Sequence, residues 1–522
     1  MTWIALKLPD RRYQWALGLA LAMSVSTGAS WAQNTGLPAL GDGDSISLSA
    51  ERQLGDRIAR ELFRDPDYLE DAVLDEYVQQ LWAPLVRAAV ARGELSAELQ
   101  ERFAWRILLG RDRSVNAFAL PGGYLGVHLG LMAVVSTADE LASVLAHELS
   151  HVTQRHIARG MSDQSKMTPW VVGSMILGAL AASKSPQAAQ ALIVGGQAAA
   201  IQNQLSYTRD MEREADRVGY GILVDAGYDP GGFVSMFAKL QQAAGLNDSG
   251  AFPYLRSHPL TTERMADMQA RQQLNLAGPK PLPDMAHAMM AARARVLSQS
   301  SPDALKAWIQ GPAALPNTAS AADQAAALYA ASLSHLLLRD AAATQRHVQA
   351  LGALVQSQRH LPSYAAAQRW WRLLQAEVAE RQDNPAQAVP FLTPEAGQQT
   401  WQRPELMALA QVLQRLPGHA LVPPVMAQLR QVVQQTPLDA QAWDRLSALL
   451  LLQGQALASL RAAGEAQAAR LDWPGAVDRF RAAQEVALKG RLQPGEHIEA
   501  SIVDVRLRHA RERLRGLQAP ER

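Results

Sequence analysis

Residues 137–151 read Thr-Ala-Asp-Glu-Leu-Ala-Ser-Val-Leu-Ala-His-Glu-Leu-Ser-His. Thr137 with Glu140 three residues later is a capping box, and Leu141, Val144 and Leu145 continue at helical spacing, so a helix opens here. His147 and His151 lie four apart on it and are neighbours on one face, with Cβ atoms about 5–6 Å apart. Imidazoles so spaced can meet one zinc ion at about 2.0–2.1 Å each. Glu148 sits about 100° around the helix from His147, within reach of a water at such an ion but not placed as a ligand. It is the natural general base.

A catalytic zinc keeps three protein ligands and one open position. The third comes from Arg209-Asp210-Met211-Glu212-Arg213-Glu214-Ala215-Asp216, on a second helix expected from about 206 to 225 and ended by Gly227 and Pro230. Glu212 and Asp216 share a face, whereas Glu214 is turned about 200° from Glu212, so the two glutamates cannot address one ion. Glu212 is the expected ligand. Asp216 can accept a hydrogen bond from the outer nitrogen of a zinc-bound imidazole and fix its tautomer. His128 and His156 lack a partner pattern and read as structural.

Ahead of the first helix, Phe103, Trp105 and Ile107 alternate as in a strand. Asn116 to Leu120 and Tyr124 to His128 flank Pro121-Gly122-Gly123 as in a hairpin. A small sheet is therefore expected inside a helical domain that opens with Leu54, Ile58 and Leu62. Residues 168–201 are apolar but interrupted by Lys184 and Pro186, too short on either side for a bilayer span, and read as buried or half-buried helices. A peripheral contact with a membrane surface stays compatible with that reading. Beyond residue 285 the composition turns to Ala, Gln, Leu and Arg in helix-length segments. Gly464, Ala476, Phe480 and Ala483 fit a tetratricopeptide-like unit, Ala388 with Leu392 marks another, and Trp443 with Leu446 starts a third. No steady 34-residue period fits, so the repeats are degenerate.

The balance of 50 Lys and Arg against 49 Asp and Glu gives +1. Phosphate binding needs a concentrated cationic surface, so a nucleic-acid partner is disfavoured. The chain has no cysteine, which excludes disulfides and thiolate metal sites. Lys7, Arg11 and Arg12 precede an apolar run from Trp15 to Val25, and Ser30-Trp31-Ala32 places small residues where a signal peptidase reads. Residues 1–32 are expected to be a cleaved export signal and the mature chain to be periplasmic. The expected division is 33–285 for the zinc-bearing domain and 286–522 for the repeats, mainly α throughout.

His147-Glu148-x-x-His151, followed about sixty residues later by Glu212-x-x-Ala215-Asp216, resembles the zinc metallopeptidases that include HtpX and the CAAX prenyl protease. Asn116-Ala117-Phe118-Ala119 and Gly122-Gly123 are similar to that family's edge-strand segment, which lines the substrate cleft. The export signal, the missing membrane helices and the repeat-like tail narrow the resemblance to periplasmic members that serve outer-membrane β-barrel assembly. It covers residues 48–275 through specific motifs and the tail through general character.

The resemblance implies a zincin-like fold and one Zn2+ per chain. It also implies, as partners, unfolded or stalled outer-membrane proteins and the β-barrel assembly machinery. It adds His258, in Ser257-His258-Pro259, as a residue that occupies the open zinc position and silences the enzyme until it moves; stabilising an oxyanion is its alternative role. Arg264 is a second candidate for the oxyanion. An endopeptidase of envelope proteins is the expected function, and a chaperone or scaffold with a silent zinc site is its rival.

Overall fold

The computed structural model describes residues 46–162, 208–246, 252–274, 284–394, 400–490 and 495–518. The first half runs α1 (Leu48–Arg64), β1 (Tyr68–Leu69), α2 (Ala72–Ala91), α3 (Ala97–Arg102), β2 (Arg106–Gly110), β3 (Ala117–Leu120), β4 (Tyr124–His128), α4 (Leu129–Val134), α5 (Ala138–Thr153) and α6 (His156–Ser162). After residue 207 come α7 (Arg209–Asp225), α8 (Gly231–Leu246), α9 (Tyr254–Ser257) and α10 (Thr262–Leu274). The expected export signal and the apolar segment 168–201 lie outside the described residues. Among those described, no helix is long and apolar enough to cross a membrane.

The four strands form a mixed sheet in the order β1-β2-β4-β3. β3 and β4 are the expected hairpin, with Leu120 opposite Tyr124 and Ala117 opposite Val127. The turn between them needs Gly122 at φ +72°, where a Cβ would also come within 2.7 Å of the Arg52 backbone. β4 runs parallel to β2, so β3 is left at the sheet edge. The strand expected from Phe103 starts only at Arg106. Trp105 takes a left-handed φ of 50° and gives its indole N–H to the Leu99 carbonyl at 3.1 Å, which breaks the alternation.

α5 is the central helix, buried from Glu140 to Thr153. A helix buried on all sides in a domain core has no solvent to satisfy its polar side chains, so each needs a partner inside the protein. Thr137 caps it by accepting from the Glu140 N–H at 3.2 Å. The reciprocal half of the expected capping box is absent. The Glu140 carboxylate accepts instead from the Ser136 N–H at 2.6 Å and from Lys239 at 2.7 Å, a stronger charged partner supplied by α8. α7 starts at Arg209 behind a Thr208 cap and closes at Gly227, φ +88°, close to the expected limits.

The tail is helical throughout its described residues: α11 (Met285–Ser298), α12 (Pro302–Ile309), α13 (Gly311–Ala314), α14 (Ala321–Leu337), α15 (Ala341–Ser357), α16 (Tyr364–Arg381), α17 (Pro385–Leu392) and α18 (Arg403–Leu413). It continues with α19 (Val422–Gln435), α20 (Ala440–Leu452), α21 (Ala456–Ala469), α22 (Trp473–Lys489) and α23 (Glu496–Gln518). Gly464 lets α21 approach Phe480 of α22 so closely that a Cβ would lie 2.5 Å from the ring, which accounts for the spacing read as a repeat unit. Ala388, Leu392, Trp443 and Leu446 are all buried.

The expected division at 285/286 falls where α11 begins, yet α11 packs into the first half. His287 bonds Tyr77 at 2.5 Å and approaches the Val135 carbonyl at 3.2 Å, and buried Arg293 pairs with buried Asp71 at 2.6 Å. One apolar core therefore continues across the junction. The far end of the tail also returns to the first half: Leu54, Ile58 and Phe63 of α1 share a core with Trp473, Phe480 and Leu507. Arg470 grips Glu70 with two bonds of 2.7 Å.

Candidate metal centre

α5 and α7 pack against each other and carry the predicted residues to one place. His147 Nε2 lies 3.0 Å from His151 Nε2 and 3.6 Å from Glu212 Oε2, and His151 Nε2 lies 3.4 Å from Glu212 Oε1. His258, at the end of α9, completes the group: its Nδ1 is 3.3 Å from His147 Nε2 and 3.0 Å from Glu212 Oε1. All four side chains are buried, with one ligand atom of each inside a common 4.8 Å. A tetrahedral ion with bonds of about 2.0–2.1 Å holds its ligand atoms about 3.3 Å apart. The observed separations of 3.0–3.6 Å match that edge, and three nitrogens with one carboxylate are a donor set that suits zinc.

Glu148 is fully buried, and neither carboxylate oxygen has a hydrogen-bond partner among the described residues. His258 Nε2 stands 3.4 Å from its Oε1. A buried carboxylate without donors is costly unless a ligand or water meets it. The metal centre beside it is where that partner would come from.

Asp216 lies one turn beyond Glu212 and meets the outer nitrogen of His147, Nδ1 to Oδ1, at 3.0 Å. The Arg264 guanidinium takes Asp216 through two bonds of 2.6 and 2.8 Å, Glu212 Oε2 at 2.7 Å, and the Pro259 carbonyl at 2.8 Å. Arg264, the second oxyanion candidate, is buried and pairs with both carboxylates, which it orients. Burial raises the Asp216 carboxyl, but Arg264 and His147 outweigh it and hold the group below the usual range. Burial likewise opposes ionisation of Glu212, and His258, His147 and His151 together hold it well below the usual range. Both carboxylates are thus anions ready to act.

Tyr254 stacks on the His258 ring at 4.5 Å and 26° and sets its plane. Glu214 turns away from the centre, as the helical angle predicts, and meets His156 at 3.1 Å and Arg159 at 2.9 Å. His156, read from sequence as merely structural, lies with its Nδ1 2.8 Å from His151 Nδ1. Its only signal in the sequence is a third histidine five residues past His151, and no helical spacing connects the two, because the chain turns between them.

A model of peptidase family M48 matches residues 77–272, a span that contains every residue of the centre. The chain is 35% identical over 237 residues to a putative β-barrel assembly-enhancing protease of Vibrio cholerae, covering 45% of this chain and 47% of that protein. It is 34% identical over 288 residues to the β-barrel assembly-enhancing protease of Escherichia coli, covering 53% and 56%. A mitochondrial metalloendopeptidase of Arabidopsis thaliana is 29% identical over 197 residues, 37% of this chain and 36% of that one. The chain thus matches about half the length of the first of these relatives. The motif helix, the second-helix carboxylates and the edge strand all lie inside residues 77–272, the span that is similar to peptidase family M48.

Proposed function

We propose that this chain is a zinc-dependent endopeptidase, exported to the periplasm, that hydrolyses misfolded or stalled outer-membrane proteins, while its helical tail binds partners of the β-barrel assembly machinery. The observation that carries the reading is the convergence of His147, His151 and Glu212 beside the unpartnered carboxylate of Glu148. Those three would hold the ion. Bound there, zinc supplies a Lewis acid that polarises a peptide carbonyl and acidifies water.

The chain's own residues do the rest. Glu148 takes a proton from the attacking water and returns it to the departing amine, so one carboxylate serves as base and then as acid. Asp216 fixes the tautomer of His147, and Arg264 keeps Glu212 and Asp216 ionised and in place. β3 lies at the sheet edge, where an extended substrate can add as a further strand through main-chain hydrogen bonds. Selection by backbone rather than side chain suits unfolded substrates.

His258 stands at the fourth corner of the group, which favours a resting form in which it fills the open position. That same geometry favours the second reading, a scaffold whose centre stays silent. Glu148→Gln tests between them: it should keep zinc, abolish cleavage of a denatured outer-membrane protein, and fail to rescue envelope defects in a strain lacking the gene. Cleavage at the wild-type rate would refute the peptidase assignment, and full rescue without cleavage would favour the scaffold.

A further inference from the structure

α5 ends at Thr153 and the chain resumes as α6 at His156. The link passes through Arg155 at φ 52°, a left-handed conformation that residues with side chains seldom adopt. Two contacts hold it there: Arg155 Nε meets Glu51 at 3.0 Å, and its Nη2 donates to the Ile46 carbonyl at 2.6 Å. Glu51 is itself buried. The product of this enforced turn is the placement of His156, which lies under His151 rather than further along the same helix. Its Nδ1 is 2.8 Å from His151 Nδ1, and its Nε2 is 3.1 Å from Glu214 Oε2. Arg159 donates to the same Glu214 oxygen at 2.9 Å.

We infer that His156 and Glu214 are positioning residues that orient His151 through a two-step hydrogen-bond relay. The protons can be placed from the geometry. His151 Nε2 points at His147 Nε2 and Glu212, so as a ligand it must offer its lone pair there and carry its proton on Nδ1. That proton is donated to His156 Nδ1, because two ring nitrogens at hydrogen-bond distance share one proton. His156 then carries its own proton on Nε2 and donates it to the Glu214 carboxylate. His147 reaches the same arrangement in one step, through Asp216.

Each histidine of the motif is thus backed by a carboxylate of α7: Asp216 directly, and Glu214 through His156. This gives the three acids of Glu212-Arg213-Glu214-Ala215-Asp216 separate tasks, although the helix points them in different directions. An outer partner of this kind fixes ring orientation and strengthens the ligand nitrogen.

The inference rests on the zinc reading above. The test is the zinc affinity of the full chain, measured by competition with a chromophoric chelator, for wild type, His147→Ala, His156→Leu, His156→Asn, Glu214→Leu and Glu214→Gln. Thermal unfolding of each metal-stripped protein is recorded beside it. Both leucine variants should lose about 10–100-fold in affinity. His156→Asn, whose Oδ1 can accept where Nδ1 did, and Glu214→Gln, which keeps an acceptor, should recover most of that loss. A packing role would instead move the unfolding temperature of the metal-free protein and make Asn no better than Leu.

Leucine variants within about twofold of wild type, or no recovery by the amides, would overturn the inference. Glu214 is 28% exposed, so its variants carry the test if His156→Leu does not fold. If wild type binds zinc no better than His147→Ala, the metal reading falls and the relay with it; if wild type binds zinc and only the relay variants are silent, the relay alone falls.

Discussion

Replacing His258 by Ala removes the imidazole whose Nδ1 lies 3.3 Å from His147 Nε2 and 3.0 Å from Glu212 Oε1, and it leaves His147, His151 and Glu212 in place. Filling the open position, Nδ1 would offer its lone pair to the ion and so would not also donate to Glu212, while the stack on Tyr254 contributes about 0.5–1.5 kcal/mol to the closed position. The stack alone favours the closed position by a factor of about 2 to 13 in the equilibrium. Activity scales with the open fraction, so His258→Ala should raise kcat/KM on a denatured β-barrel protein by at least about twofold.

The assay is the initial rate of cleavage by the purified full chain, with zinc content measured on the same sample. The double variant Glu148→Gln with His258→Ala serves as background. If the ring instead donates to the carbonyl oxygen as charge develops on it, its loss lowers kcat by about 10²–10³-fold. The two roles thus differ in sign. A fall in kcat/KM at unchanged zinc content would refute plugging.

The junction between the halves offers further tests. Arg293→Met leaves Asp71 buried without its cation, and should cost about 3–5 kcal/mol in urea unfolding; the double variant with Asp71→Asn should recover part of it, and an unchanged midpoint for the single variant would dismiss the pair. Burial raises the Asp71 carboxyl but Arg293 outweighs it, so the folded value lies below the ordinary 3.8. Because the folded value is the lower one, the pair's contribution is present above about pH 4 and is lost as pH falls through it. Arg293→Met should accordingly flatten the acid limb of the stability profile. Gly464→Ala forces a Cβ to within 2.5 Å of the buried Phe480 ring and should cost about 1–3 kcal/mol; a neutral result would mean that α21 and α22 can separate without loss.

The centre was legible where its chemistry follows a helical period. His147, Glu148 and His151 share one helix, and Glu212 and Asp216 share another, so angle alone separates inward from outward residues. The mainly helical architecture and the β3–β4 hairpin could be read for the same reason: side-chain periodicity and turn residues are local. Arg264 was legible as a nearby charge, but its pairing with Asp216 and Glu212 was not, because that depends on how α10 packs on α7. His156 was missed because its link to His151 crosses a left-handed turn at Arg155. No spacing rule spans such a break.

The sequence by itself determined two imidazoles on one helix face, a neighbouring carboxylate and a carboxylate-bearing second helix, because residues a turn apart must share a face whatever surrounds them. Tertiary structure alone decided how those helices meet, that His258 arrives at the fourth corner, and that α11 and the end of the tail pack back on the first half. Those contacts join residues up to hundreds of positions apart, as in Arg470 with Glu70. They depend on which apolar faces bury one another, a property of the whole core rather than of any segment.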